Sequence, residues 1–265
     1  MHIKLHRTII LFVWTCIISD NLIAQENYEI QVYGSQTQQK NSTIFELHSN
    51  YTFDGEKEPV KGVRPTYHAL HETIEITHGL TDNFEMGFYV FMNYLPDYGF
   101  HFVGVHLRPR IMAPSKWNLP VGISLSAEVG YQSANYSTET WSLELRPIID
   151  KQWEKLYLSF NPTLAFQLKG IDESSVPSFA PNIKLSYALF KNGAIGAEYY
   201  GDMGPLNNFD KAPEQGHALY ATFDLLNNKH WELNTGVGFG LTPATDGPVF
   251  KVLVGRRVYW NSKKK

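Results

Sequence analysis

The chain has 265 residues, 14% of them aromatic and 20 of them glycine, and a formal charge of −3 from 23 lysines and arginines against 26 aspartates and glutamates. That balance gives no basic footprint for nucleic acid, and a mean hydropathy of −0.27 excludes an ordinary bundle of membrane-spanning helices. A transmembrane barrel stays open, because its lumen and loops are polar and only every second strand residue meets lipid.

The first 24 residues read as a secretory signal peptide: Lys4 and Arg7, an apolar run over 9–18, then Leu22-Ile23-Ala24 before a cut. A chain with this start is expected to be exported; if the rest is a membrane barrel, its expected place is the outer membrane of a Gram-negative bacterium. The only cysteine, Cys16, falls in this stretch, so the mature chain carries no thiol ligand or disulfide. Residues 25–42 form a polar N-terminal segment with one alternating piece, Tyr28 to Tyr33; a free tail and a strand resting at a barrel mouth are both open.

From residue 43 to residue 260 the chain repeats one pattern. Apolar residues alternate with small or polar ones over 43–53, 67–77, 84–93, 103–111, 121–131, 141–150, 156–168, 179–189, 195–200, 219–225, 231–239 and 250–260. Period-two alternation with one apolar face predicts half-buried strands. The clearest hairpin is 67–93, where Phe84, Met86, Phe88, Val90 and Met92 share a face and 78–83 make the turn, with Gly79 free to take a positive φ. About twelve strands without a helical crossover predict a closed, antiparallel, up-and-down transmembrane β-barrel, since an open edge in lipid would leave backbone groups unpaired. Residues 261–265 are a basic tail. Trp117, Trp153, Trp231 and Trp260 mark the strand ends nearest the termini as one interfacial girdle and put the longer loops at the other end.

Residues 71–87, His-Glu-Thr-Ile-Glu-Ile-Thr-His-Gly-Leu-Thr-Asp-Asn-Phe-Glu-Met-Gly, resemble the corresponding hairpin of outer-membrane barrels grouped as phenol meta-pathway transporters, found in Bacteroidetes-type bacteria. The resemblance implies an outer-membrane channel for small apolar molecules, and the family has no catalytic motif to carry over.

If the apolar faces meet lipid, the lumen carries Glu75, Glu85, Glu128, Glu144 and Glu198 with Arg108, Arg110, Arg146 and Lys184. These are either ion-pair ladders that brace the wall or a selectivity filter. Tyr89, Phe91, Phe102 and Tyr157 fall on the lumen face as a path for apolar or aromatic solutes, or as its filling. Symmetry of the first hairpin about Leu80 sets Glu75 across from Glu85, with Arg108 and Arg110 beside them. One strand breaks the rule: Glu72 falls on the lipid face with His68, and a β-bulge near His71–Thr73 that turns Glu72 inward is the expected account; a lateral opening through the wall at this point is the sharper alternative.

The expected function is passive passage of small solutes, apolar or aromatic ones included, through a barrel most simply a monomer. Its partners are then membrane lipid and the solute, with no cofactor and no metal. A non-conducting structural or surface-interaction barrel is the first alternative. A lipid hydrolase is the second, but His48 and Ser49 are adjacent on a strand and point to opposite faces, so no enzyme is expected. His68 and His71 fail as a metal pair on a regular strand.

Overall fold

The computed structural model describes residues 27–171 and 175–260; the signal-peptide segment with Cys16 and the basic tail lie outside the described residues. Twelve strands alternate up and down: β1 (Ser42–Thr52), β2 (Leu70–Gly79), β3 (Phe84–Leu95), β4 (Gly99–Met112), β5 (Gly122–Gln132), β6 (Glu139–Trp153), β7 (Leu156–Gly170), β8 (Ser178–Phe190), β9 (Gly193–Asp202), β10 (Gly216–Leu225), β11 (Trp231–Gly240) and β12 (Val249–Tyr259). Each pairs antiparallel with its neighbours, and β1 closes on β12 from Ser42↔Tyr259 to Thr52↔Val249, so the sheet is a closed barrel with no edge.

Alternation decides which way each residue points. Phe45, Leu47, Ile74, Ile76, Phe88, Leu125, Leu185 and Leu219 form an exposed apolar belt. Their strand neighbours Glu46, His48, Thr73, Glu75, Ser126, Lys184 and Tyr220 are buried inside. An exposed apolar exterior around a polar interior inverts a soluble protein and fits a hydrocarbon surround. Trp117, Trp153, Trp231 and Trp260 are exposed at the terminus end, where the connections are mostly short.

The structure departs from the sequence reading in several places. The first hairpin turns about Asp82, not Leu80: Glu75 pairs with Tyr89, and Glu85 stands across from Gly79 on one side and Arg110 on the other. Gly79 takes no positive φ; a Cβ there would lie 2.2 Å from the Gln39 carbonyl, so the glycine admits another stretch of chain. No bulge occurs at His71–Thr73, where β2 keeps register with both β1 and β3. β2 starts at Leu70, so Glu72 stays on the outer face near the strand end and accepts a bond from Ser49 Oγ at 2.8 Å. A carboxylate at that depth costs well under the ~2–4 kcal/mol of a mid-bilayer charge. The bulge lies instead on β4 opposite Phe91–Met92, which turns Val103 inward and leaves Phe102 exposed, the reverse of what unbroken alternation gives.

The largest difference concerns residues 27–41. They neither hang free nor rest at the mouth: they run through the lumen from the loop end to the terminus end. Asn27 Nδ2 donates to Asp246 in the loop between β11 and β12 at 2.9 Å, and Asn41 N donates to the Gly79 carbonyl at the far end.

Candidate functional site: a lumen threaded by the N-terminal segment

Side chains on the wall, rather than a sheet ladder, satisfy the backbone of this segment. Asn50 Nδ2 donates to the Asn27 carbonyl at 2.8 Å, Thr73 Oγ1 to Tyr28 at 2.8 Å and Lys251 Nζ to Ile30 at 2.9 Å. Tyr33 donates its N–H to Asn161 and its carbonyl accepts from Ser159 Oγ at 2.6 Å. Arg110 donates to the Gly34 and Gln36 carbonyls at 3.1 and 2.9 Å. Polar groups inside the barrel must be paired, and this wall offers donors where the extended segment offers carbonyls. The apolar side chains of the segment find two matching patches. Ile30 and Val32 pack with Tyr200, Ala218, Tyr220 and Val249; Tyr28 packs with Tyr89, Phe91 and Val103.

Around the segment the lumen charges form separate groups. At the terminus end Arg108 reaches Glu75 at 2.7 Å and Glu85 at 3.1 Å, and Arg110 reaches the same Glu85 oxygen at 2.7 Å. Arg108 also donates to the Tyr89 hydroxyl, and His48 stands 3.2 Å from Glu75. On the opposite wall Glu198 takes Lys251 and, at 2.9 Å, Lys184, which reaches Asp224 at 2.6 Å. Glu144 holds Arg146 at 2.6 Å, His106 meets Glu128 at 2.6 Å with Phe91 edge-on to its ring, and Tyr157 donates to Asp150 at 2.9 Å.

His71 points inward beneath Tyr28, whereas His68 lies in the loop before β2 and meets Tyr51 on the outside. The geometry therefore separates Glu72, His68 and His71 rather than assembling them. His48 and Ser49 likewise face opposite sides, toward Glu75 and Glu72.

Sequence reasoning missed Tyr33. Its ring sits 4.9, 5.5 and 5.0 Å from the guanidinium carbons of Arg108, Arg110 and Arg146, and its hydroxyl bonds Glu29. An aromatic face is one of few neutral groups that can hold three like charges together. The signal available was the alternation of residues 28–33, which reads as a strand but not as a strand with its own place in the lumen.

Two cavities that share no lining residue flank the segment. One, of about 410 Å³, opens at the loop end and is lined by Tyr28, Arg64, His71, Tyr136, Glu139, Arg146 and Asp202 among others. The second, of about 370 Å³, lies at the terminus end between Gln31, Tyr33, Gln38, Glu46, Arg108, Glu232 and Arg257. No group of three or more metal-ligating side chains occurs among the described residues.

No protein-family model matches the chain, and no curated protein is significantly similar to it. Solved structures do resemble it. An outer membrane channel from Pseudomonas putida F1 matches with a TM-score of 0.58 at 13% identity, over 87% of this chain and 100% of that one. The KdgM porin matches with a TM-score of 0.51 at 12% identity, over 82% and 99%. A KdgM porin in complex with disordered oligogalacturonate matches at 0.50. At these identities the likeness establishes the fold, that of outer-membrane barrels.

Proposed function

We propose that the protein is an outer-membrane channel for small solutes whose lumen is gated by residues 27–41. The terminus end faces the periplasm and the loops face outward. The observation that carries this reading is the way the middle of the barrel is filled. A structural barrel can close its lumen with wall side chains. Here a cavity enters from each end, and the obstruction between them is residues 27–38. That stretch is held by side-chain hydrogen bonds, the Glu29–Arg146 ion pair and two small apolar patches, while Lys40 and Asn41 stay anchored to the backbone of the wall. Such a segment can leave without breaking one ladder bond of the barrel. Its departure would join the two cavities into a path flanked by Tyr89, Phe91, Tyr200 and Tyr220, which suits solutes with aromatic or apolar parts. That solute class agrees with the phenol-pathway resemblance of residues 71–87.

The KdgM structure names oligogalacturonate, a polyanion, but the acidic loop-end cavity here opposes carrying that ligand over. Catalysis gains no support, since His48 and Ser49 lie on opposite sides of the wall.

Planar-bilayer conductance of the full barrel and of a variant lacking residues 27–38 tests the gate. The deletion should raise single-channel conductance several-fold at unchanged barrel heat-modifiability. A correctly folded deletion variant that stays silent would mean the non-conducting structural barrel is right.

A further inference from the structure

The loop-end cavity has a chemistry that the ion pairs below it do not use. Carboxylates on its wall outnumber cations eight to three. Of the three cations, Arg146 is held by Glu144 and Glu29, and Arg64 bonds the Tyr136 hydroxyl while lying 4.5 Å from the Tyr98 ring centre and 5.1 Å from that of Tyr136. Glu56, Glu58, Glu139 and Asp202 have no ion-pair partner among the described residues.

A second, independent feature lies on the same wall. His71, Asn93 and Thr163 are each only 2% exposed, yet His71 Nδ1, Asn93 Oδ1 and Thr163 Oγ1 meet no hydrogen-bond partner among the described residues. Buried polar atoms of this kind are ordinarily satisfied. Asn27 Oδ1, Glu29 Oε2 and one donor, Arg146 Nε, share the condition on the same lining, so most of these atoms can accept from a molecule with donors to offer.

We infer that this vestibule binds organic cations, ammonium-bearing solutes with an aromatic or short apolar body. This rests on the channel reading and narrows its solute class. Unpaired carboxylates in a partly enclosed space attract a positive head and repel an anion, more strongly than they would in open solvent. Asn93 Oδ1 accepts from an ammonium and cannot donate to a carboxylate. The rings of Tyr28, Tyr136 and Tyr200 supply apolar contact and a negative face. Arg64 shows that one of these rings already holds a cation at the rim. The terminus-end cavity lacks this excess: Glu46, Glu75, Glu85 and Glu232 face Arg108, Arg110 and Arg257 there. The inference places a cation filter above the gate, before the mixed-charge lumen.

Isothermal titration of the full-length barrel in neutral detergent at low salt tests it with two probes of one shape and opposite charge, phenethylammonium and phenylacetate. Phenethylammonium should bind at least about tenfold more tightly. Neutralising the wall with E139Q and D202N should weaken it about fivefold or more, and E232Q in the other cavity should leave it unchanged. Should the wall variant fail to fold, E56Q with E58Q in the exposed loop should show the same loss.

Equal affinity for both probes, or equal affinity in wild type and both neutralised variants, overturns the inference. So does saturable binding of magnesium ions with none of phenethylammonium. Binding is read without transport, so a barrel that binds but never conducts refutes the channel and leaves the site standing. A barrel that conducts without binding does the reverse.

Discussion

Glu85 is fully buried and one of its oxygens serves two guanidiniums, those of Arg108 and Arg110. In such a cluster the loss of one partner leaves an uncompensated charge in a poorly solvated place, at a cost of about 3–5 kcal/mol. Removing both signs leaves less behind. The cycle of E85Q and R110M, read as the heat-modification midpoint in detergent, should therefore show a coupling of about 0.5–3 kcal/mol. Losses that simply add would mean that the two groups do not share a bond. The alternation of strands β2, β3 and β4 placed Glu75, Glu85, Arg108 and Arg110 inside from sequence alone. An arginine beside Glu85 was legible as well, and Arg110 takes that place; the partner of Glu75 was not, because the turn extends over four residues and a shift in its centre changes every partner between β2 and β3. Tyr89, not Glu85, is the residue across from Glu75, so two carboxylates avoid direct opposition and Arg108 reaches both.

Among elements, the N-terminal segment and the loop that caps it depend on one carboxylate. Asp246 accepts from Asn27 at 2.9 Å and from Thr66 at 3.0 Å, joining the segment to two loops. Burial raises its carboxyl above the ordinary 3.8, although both hydrogen bonds pull the other way. Burial also raises Glu56, and the charge of Asp246 adds to it. A carboxyl raised in the folded state binds its proton more tightly there than in the unfolded chain. Its contribution therefore improves as pH falls through the folded value and stops improving below 3.8; it worsens as pH rises. Acidification from neutral pH toward 3.8 should then favour the capped arrangement more in wild type than in D246N. Segment release, followed by proteolysis at residues 27–38, reports it. An identical response in the two proteins would remove Asp246 from the latch. The bulge on β4 teaches a different lesson at this scale. Val103 and Phe102 exchange faces because one residue is left unpaired, and Gly104 permits it where a Cβ would lie 2.0 Å from the Tyr131 carbonyl.

For the whole molecule, connection length and aromatic placement agree on orientation. Trp117, Trp153, Trp231 and Trp260 gather at the end where both described termini of the sheet lie, and the loops between β1 and β2 and between β9 and β10 lie at the other. A short epitope inserted at Asn208, in the β9–β10 loop, should be labelled on intact cells. Labelling only after the outer membrane is opened would invert the topology, and with it the side from which the acidic vestibule is entered.

The sequence by itself determined the strand number, the closed antiparallel barrel and, for nearly every strand, the inward and outward faces. These follow from local periodicity and from the requirement that no backbone edge meet lipid. Only the tertiary structure decided what fills the barrel. Alternation says that Ile30 and Lys251 each have a polar or apolar side, but not that 221 residues apart they share a hydrogen bond across the lumen. The segment's place depends on the matching of its carbonyls and rings to donors and patches supplied by many strands at once. No local pattern in residues 27–41 records that match, so the place of the segment in the lumen became visible only when the wall around it was assembled.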